Sequence, residues 1–360
     1  MNDSLAPADT ATEAAATDRP VTVGLLYPSI LHDRFEDYER QVAAWGAVDP
    51  RVRVLAAQYR ESTDLRNRRA TPGFERTDGD VTPVADEVAQ VLAEAEVLVA
   101  LDLPFELLDL APKLRWVQAI GTGIAQLRSS GIPNERVRLT NAAGTASNEI
   151  AEFVLGRVLE HCKRFPDMAI AQRDREWAVL YGTRLAGKTM ALAGLGSINL
   201  AVARLAKAFG MRVIGMRRTP GELPPNVDEV FGPERLHEML SGADVVVAAL
   251  PGTAQTEDMF DEAAFAATRP GAFFVNVGRG SSVVEPALIA ALESRRLSGA
   301  AIDVMRTEPL DAANPLWAAP HLRISAHCSS VPSLSIVAVN ELGRDNLVRY
   351  LAGRPLLNAV

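Results

Sequence analysis

The sequence has few cysteines and no long apolar run, and each shortage argues against a class of protein. Only Cys162 and Cys328 occur among 360 residues, without a CxxC pair. This argues against a secreted fold held by disulfides and favours a reducing compartment. No apolar run approaches the ~18 residues of a membrane span. Residues 1–20 lack the basic and apolar segments of a signal peptide, so we predict a disordered tail. We therefore expect a cytoplasmic protein with no membrane partner.

The chain also has fewer basic than acidic residues. Lys and Arg number 37 against 45 Asp and Glu, which gives a formal net charge of -8 and argues against nucleic acid as a partner. Arginines are concentrated in residues 59–80, but they alternate there with Asp and Glu. This pattern predicts a solvated loop insertion rather than a phosphate-binding surface.

The chain does contain a regular alternation of apolar strands and helices. The predicted strands are apolar along their length, as expected for parallel strands covered by helices on both faces. The first part of the chain contains VTVGLLY, VRVLAA, VLVALD and LRWVQAI, and the second contains TMALAG, MRVIGM, ADVVVAALP, GAFFVNVG, SGAAIDV and RISAH. Helices are predicted at SNEIAEFVLGRVLEHCKRF, INLAVARLAKAFG, EPALIAALESRRL and LSIVAVNELGRDNLVRYLAG.

Two α/β series of this kind predict two Rossmann-like domains, each a doubly wound parallel sheet, with a ligand-binding cleft between them. Residues 146–328 would form a dinucleotide-binding domain. Residues 21–145 and 329–360 would form a flavodoxin-like, substrate-binding domain, to which the last helix returns.

The segment GLGSIN opens the second series and predicts a dinucleotide-binding turn. Gly194 permits the tight turn, and Gly196 lets the backbone amides at the helix start, including Ser197 and Ile198, approach a pyrophosphate. Asn199 occupies the third position, where glycine or alanine is usual. We expect its side chain to push the helix outward or to turn its amide to solvent or phosphate, so that Asn199→Ala tightens binding.

The end of the next strand carries basic residues where an NAD enzyme would carry an acid. Arg217 and Arg218 stand there, and guanidinium groups suit a 2′-phosphate. NADP is therefore the predicted cofactor, with NAD as the alternative, and two ordinary surface arginines as the simpler interpretation.

Several stretches together resemble the D-isomer-specific 2-hydroxyacid dehydrogenases, which include glyoxylate/hydroxypyruvate reductases and phosphoglycerate dehydrogenases. They are LRWVQAIGTG, AEFVLGRVL, LAGKTMALAGLGSI, VARLAKAFG, PGAFFVNVGRG, LSGAAIDV, EPL, NPLW and SAH. The resemblance covers most of the chain from about Val21, and it implies hydride transfer between NADP(H) and a 2-oxoacid or D-2-hydroxyacid.

The resemblance also implies roles for individual residues. Arg279 would hold the substrate carboxylate and oxo group, His327 would be the proton donor, and Glu308 would pair with His327. The chain departs from the family beside this histidine, where it reads SAHCSS.

Further residues of both predicted domains match family positions. The loop Gly121, Thr122 and Gly123 would bind the substrate carboxylate, with Arg279. Leu250 and Pro251 would edge the cofactor cleft, and Asp303 would contact the nicotinamide carboxamide. The substrate side chain would be selected near residues 29–31 and 101–104 and beside His327.

The partners implied are a small 2-oxoacid or 2-hydroxyacid and a second copy of the chain. Family members are usually homodimers through the helix that begins near Ser147. We expect no metal ion. Two alternatives stay open: a nucleotide-sensing binding protein like the dehydrogenase-fold corepressors, and an oxyanion dehydrogenase of the phosphite type.

Overall fold

The computed structural model describes residues 19–27, 38–70, 73–132, 135–219 and 221–360. Residues 1–18 of the predicted tail lie outside this part of the chain, as do residues 29–31 of the predicted substrate site. Arg19 belonged to the predicted tail, yet its guanidinium forms two hydrogen bonds with the Glu96 carboxylate. Arg19 is therefore bound to an acid of the folded unit, a contact that the tail prediction did not include.

One compact unit consists of the residues up to Ala142 together with Ile336–Val360. Its strands are β1 Val21–Tyr27, β2 Val52–Gln58, β3 Val97–Ala100, β4 Trp116–Ala119 and β5 Arg138–Thr140. They form a parallel sheet in the order β2-β1-β3-β4-β5, which is the flavodoxin-like order. Its helices are α1 Tyr38–Gly46, α2 Thr63–Ala70, α3 Asp86–Glu94, α4 Leu107–Leu110 and α5 Ala125–Arg128.

The other unit is Ala143–Ser335. Its strands are β6 Thr189–Ala193, β7 Arg212–Met216, β8 Glu229–Phe231, β9 Val245–Ala248, β10 Ala272–Asn276, β11 Leu297–Ile302 and β12 Leu322–Ile324. Its helices are α6 Ser147–Lys163, α7 Phe165–Arg173, α8 Ser197–Ala208, α9 Leu236–Ser241, α10 Glu262–Ala267 and α11 Glu285–Glu293. The last helix, α12 Pro332–Leu351, contains the boundary between the units.

The second sheet is parallel throughout and runs β12-β11-β10-β9-β6-β7-β8. The strand order reverses between β6 and β9, which are neighbours. In open parallel sheets, ligands bind outside the carboxyl ends of the strands at such a reversal. The candidate site should therefore lie where β6 and β9 end.

Strand β6 shows why these strands are apolar on both faces. Met190 and Leu192 pack into a buried cluster with residues of α6 and α8. Ala191 and Ala193 face the opposite cluster, which includes residues of α9 and α11. Helices thus cover both sides of the sheet, and the predicted doubly wound α/β fold is confirmed.

Residues 59–80 are not the solvated loop insertion that we predicted. They include α2, and Arg69 and Glu61 form an ion pair in which both side chains are buried. Arg66 donates from Nε to the buried Asp102 at 2.6 Å. A composition rich in alternating charges suits an exposed loop, but it equally supplies the pairing that buried charges require.

Within the described residues, no helix is both long and apolar enough to cross a bilayer.

Candidate active site

The glycine turn between β6 and α8 lies at the reversal of strand order. Gly194 has a φ of +88°, and a Cβ there would lie 2.9 Å from Leu250 Cδ2, so glycine is required. Gly196 is exposed, and a Cβ on it would meet nothing within 4 Å. The exposed Ser197 and the half-buried Ile198 open α8, whose first N–H groups have no intrahelical acceptor. Open space in front of a helix N-terminus fits the pyrophosphate of a dinucleotide.

Asn199 is fully buried, so the expectation that its amide faces solvent or phosphate is wrong. Its Nδ2 donates to the carbonyls of Ala193 at 3.0 Å and Gly194 at 2.7 Å, and it lies 3.5 Å from the Val247 carbonyl. Asn199 can occupy the gap between α8 and the sheet because backbone carbonyls at the ends of β6 and β9 accept hydrogen bonds from its side-chain amide. Asn199 therefore ties the first turn of α8 to the sheet.

Arg217 and Arg218 follow β7 directly, but their surroundings differ. Arg217 is half-buried, and its Nη2 donates to the Glu222 carbonyl at 2.7 Å. Arg218 is exposed and forms no ion pair with any described residue. Arg218 is therefore the more available of the two for an anionic ligand.

Leu250 lies between the glycine turn and the loop that carries Arg279. Its Cδ2 blocks a side chain at Gly194, and its backbone N lies 2.5 Å from where a Cβ of Gly278 would be. Leu250 is buried and Pro251 is exposed. The ends of β6, β9 and β10 thus bring predicted cofactor and catalytic residues to one edge of one sheet.

His327 and Glu308 are hydrogen-bonded to each other. His327 Nδ1 lies 2.8 Å from Glu308 Oε2, and the Met305 amide donates to Oε1 at 3.0 Å. Burial alone would raise the pKa of Glu308, but the bonds from His327 and Met305 and the charge of Arg279 leave that pKa below its ordinary value. Glu308 is therefore an acceptor at neutral pH, and its hydrogen bond with His327 places a proton on Nδ1 of the ring.

Arg279 opens the turn that follows β10. Burial lowers the pKa of its guanidinium, and the nearby Glu308 carboxylate opposes that effect. Its Nη1 donates to the Gly278 carbonyl at 2.7 Å, and no carboxylate of the described chain lies within ion-pair distance. A Cβ on Gly280 would lie 1.9 Å from the Met305 carbonyl carbon, so the glycine lets the Arg279 loop touch the segment leading to Glu308.

Asn276, at the end of β10, holds the Arg279 loop and was not predicted. Its Nδ2 donates to the Arg279 carbonyl at 3.2 Å, and its Oδ1 accepts from the Gly278 amide at 3.0 Å. A signal for it existed, because Asn276 is a buried amide ending the otherwise apolar run AFFVN.

Asp303 follows β11 and is buried beneath the loop that carries His327. Its carboxylate accepts from Ser325 Oγ and from the amides of Cys328 and Ser329. The contact with the nicotinamide stays a prediction for this residue, and the structure adds that its carboxylate is bonded to protein groups.

The predicted substrate loop, Gly121 to Gly123, belongs to the other unit and is fixed there by the segment after β5. Asn141 Nδ2 donates to the Thr122 carbonyl at 3.0 Å, and the Ala142 amide donates to the Gly121 carbonyl at 3.1 Å. Thr122 is exposed. Its hydroxyl donates to the Ala142 carbonyl at 3.4 Å, so residues 141 and 142 hold the loop through both its backbone and its side chain.

Comparison with known proteins gives one family. The model of the D-isomer specific 2-hydroxyacid dehydrogenase NAD binding domain matches residues 155–329. Glyoxylate/hydroxypyruvate reductase B of Citrobacter koseri is 30% identical over 285 residues, which cover 76% of this chain and 87% of that protein. Glyoxylate reductase of Aeropyrum pernix is 27% identical over 325 residues, which cover 86% and 96%.

Solved structures agree with the sequence comparisons. A D-isomer specific 2-hydroxyacid dehydrogenase family protein of Aeromonas salmonicida has a TM-score of 0.76 and 30% identity, and the match covers 94% of this chain and 98% of that one. A D-isomer specific 2-hydroxyacid dehydrogenase of Xanthobacter autotrophicus, in complex with NADPH and MES, has a TM-score of 0.74 and 28% identity, with 95% and 98% covered.

Proposed function

Because the chain belongs to the D-isomer specific 2-hydroxyacid dehydrogenase family, we propose that it reduces a small 2-oxoacid with NADPH, using His327, Glu308 and Arg279. The observation that carries this assignment is the 2.8 Å hydrogen bond between His327 and Glu308, next to an arginine without a carboxylate partner in the described chain. The comparisons support hydride transfer between NAD(P)H and a 2-oxoacid. They favour neither a corepressor-like binding protein nor an oxyanion dehydrogenase.

The proposed chemistry divides between the cofactor and the protein. The nicotinamide supplies hydride when it is bound. As negative charge develops on the substrate oxygen, His327 donates a proton from Nε2, because Glu308 holds the other ring nitrogen. Glu308 stabilises the imidazolium before the transfer and orients the ring throughout.

Arg279 is proposed to bind the substrate carboxylate. Burial makes its positive charge costly, which is why its pKa is lowered, and an anionic ligand would offset that cost. The planar guanidinium can pair with a carboxylate through two parallel hydrogen bonds. The Gly121–Gly123 loop, which belongs to the other unit, is proposed as a substrate-binding loop, as the resemblance implies.

The cofactor would be held by the second unit, through the turn at Gly194 and Gly196, the first residues of α8, and the edge formed by Leu250 and Pro251. We assign NADP preference to Arg217 and Arg218, with Arg218 the more exposed. The Xanthobacter relative crystallised with NADPH supports this choice. The first unit would then be the substrate domain.

Self-association into a homodimer is proposed from an apolar surface on α7 and the segment after it. Trp177 is 99% exposed and Tyr181 85%. Phe165, Met168, Ile170 and Val179 are exposed in the same part of the chain. Large exposed apolar surfaces mark interaction sites. Light scattering should show a dimer for the parent chain and for the surface control Val81→Glu, and a monomer for Trp177→Glu.

A cytoplasmic location is proposed because both cysteines are free thiols, as expected in a reducing compartment.

The experiment that tests the proposed reaction is a substrate panel followed by nicotinamide absorbance. Glyoxylate, hydroxypyruvate and larger 2-oxoacids are each offered with NADPH and with NADH, and phosphite is offered with both oxidised cofactors. The proposal requires turnover of a 2-oxoacid with NADPH preferred. Turnover of phosphite alone would support the oxyanion alternative, and cofactor binding without any turnover would support the binding-protein alternative.

A further inference from the structure

Asp303 accepts four hydrogen bonds from the loop that carries His327. Its Oδ1 accepts from Ser325 Oγ at 2.6 Å and from the Cys328 amide at 2.9 Å, and its Oδ2 accepts from the Ser329 amide at 2.9 Å. Its backbone carbonyl accepts from the His327 amide, also at 2.9 Å. The residue is 1% exposed, so these bonds form away from water.

The loop holds His327 in an uncommon backbone conformation. Its φ is +49°, in the left-handed region that residues other than glycine seldom adopt. Such a conformation persists only where the surroundings specify it, and it is often found at functional sites. Here the residues flanking His327 on both sides are bonded to the same carboxylate, while the histidine ring reaches Glu308.

A carboxylate suits this role better than any neutral side chain. Three donors converge on it, and a carboxylate is an acceptor at both oxygens. An asparagine side chain would offer only one acceptor oxygen, and its NH₂ group would face one of the N–H donors of the loop. Asp303 is also anchored in the sheet, because its own amide donates to the Asn276 carbonyl at 2.9 Å. Asn276 in turn holds the Arg279 loop.

We propose that Asp303 is a positioning residue, whose buried carboxylate holds residues 325–329 so that His327 keeps its left-handed backbone and its ring stays paired with Glu308. This inference rests on the proposed function and differs from the nicotinamide contact that the family resemblance implies. Asp303 then acts on proton transfer through His327, and not on cofactor affinity.

The test is Asp303→Asn, which keeps the shape and removes the charge. Hydrogen–deuterium exchange of peptides covering residues 325–330 should become faster, because an asparagine keeps one acceptor oxygen and one of the Cys328 and Ser329 amides loses its acceptor. NADPH dissociation constants should stay within about twofold of the parent value. With the best 2-oxoacid, kcat should fall roughly 10- to 100-fold, as expected for a misplaced catalytic group. The solvent isotope effect on kcat should rise, because proton donation becomes slower.

Ser325→Ala is the milder companion variant, since it removes one of the three donors and leaves the carboxylate in place. It should show a smaller increase in exchange and a smaller decrease in kcat than Asp303→Asn, because the Cys328 and Ser329 amides keep their acceptors, and it carries the test if Asp303→Asn does not fold. Unchanged exchange and kcat in the folded variants would overturn the proposal. So would NADPH binding at least tenfold weaker with unchanged exchange, which would assign Asp303 to the cofactor.

A failure of the proposed function would give a different result from a failure of the Asp303 proposal. If the parent chain reduces no 2-oxoacid, the reaction assignment falls, while the exchange rates still decide whether Asp303 holds the loop.

Discussion

Asn199→Ala provides a sharp test of how the glycine turn is built, because the structure reverses the expectation from the sequence. The substitution removes two hydrogen bonds from Nδ2, at 2.7 and 3.0 Å, to buried carbonyls. Each contributes about 1 kcal/mol net. Losing the buried Oδ1, which has no partner, and gaining the helix propensity of alanine offset part of this loss.

The balance is a destabilisation of about 1–2 kcal/mol. In a domain of this size, that lowers the Tm by roughly 2–8 °C. NADPH binding should not tighten, since the side chain ties α8 to the sheet and does not displace it. Thermal melting by circular dichroism and calorimetric titration measure the two quantities. Asn148→Ala is the matched control: it removes only an exposed hydrogen bond from Arg204 at 3.2 Å and should leave both quantities nearly unchanged. An unaltered Tm, or tighter NADPH binding in Asn199→Ala, would refute this account.

Other predictions follow from the same site and its supporting sheet. Arg279→Lys should lower kcat/KM for the best 2-oxoacid by roughly 10- to 100-fold, since lysine loses the second hydrogen bond of the fork, and an unchanged value would remove Arg279 from the carboxylate site. Arg218→Asp should weaken NADPH binding and leave NADH binding the same or tighter, measured by titration of both, whereas equal losses would argue against a 2′-phosphate contact. Burial lowers the pKa of His161 below its ordinary 6.5, helped by the positive charge of Arg323. The unfolded chain therefore binds a proton first as the pH falls, and stability decreases from about pH 7 downward. His161→Gln should show a smaller loss of unfolding free energy between about pH 7 and pH 5 in urea titrations, and an identical loss would contradict the assignment.

The fold was predictable because its strands are buried on both faces. Apolar runs such as TMALAG and GAFFVNVG are uninterrupted for that reason, and helices cover both sides of them. The three-residue strands β5 and β8 were not predicted. They lie at the edges of the two sheets, and three residues are too few to produce a recognisable apolar run.

Glycines in the candidate site were informative because backbone contacts require them. Glycines stand on both sides of Arg279, and the structure shows that protein backbone comes close to Gly278 and Gly280. Asn199 and Asp303 could not be understood in this way. Their hydrogen-bond partners lie on other elements, and the local sequence does not reveal which carbonyl or amide will be nearby.

The burial of charged residues could not be predicted from the sequence either. The alternation of Arg with Asp and Glu in residues 59–80 looks the same whether the pairs are exposed or buried. Only the tertiary structure shows that Arg69 and Glu61 are enclosed together.

The central claim is that His327, paired with Glu308, donates a proton to a 2-oxoacid as hydride arrives. The most direct measurement is a single-turnover reaction of the NADPH-loaded parent and His327→Ala with the best 2-oxoacid of the panel, with NADPH affinity measured beside it. We expect a rate lower by ~10²–10⁴-fold in His327→Ala with NADPH affinity nearly unchanged. Oxidation of NADPH at the parent rate in His327→Ala would contradict it.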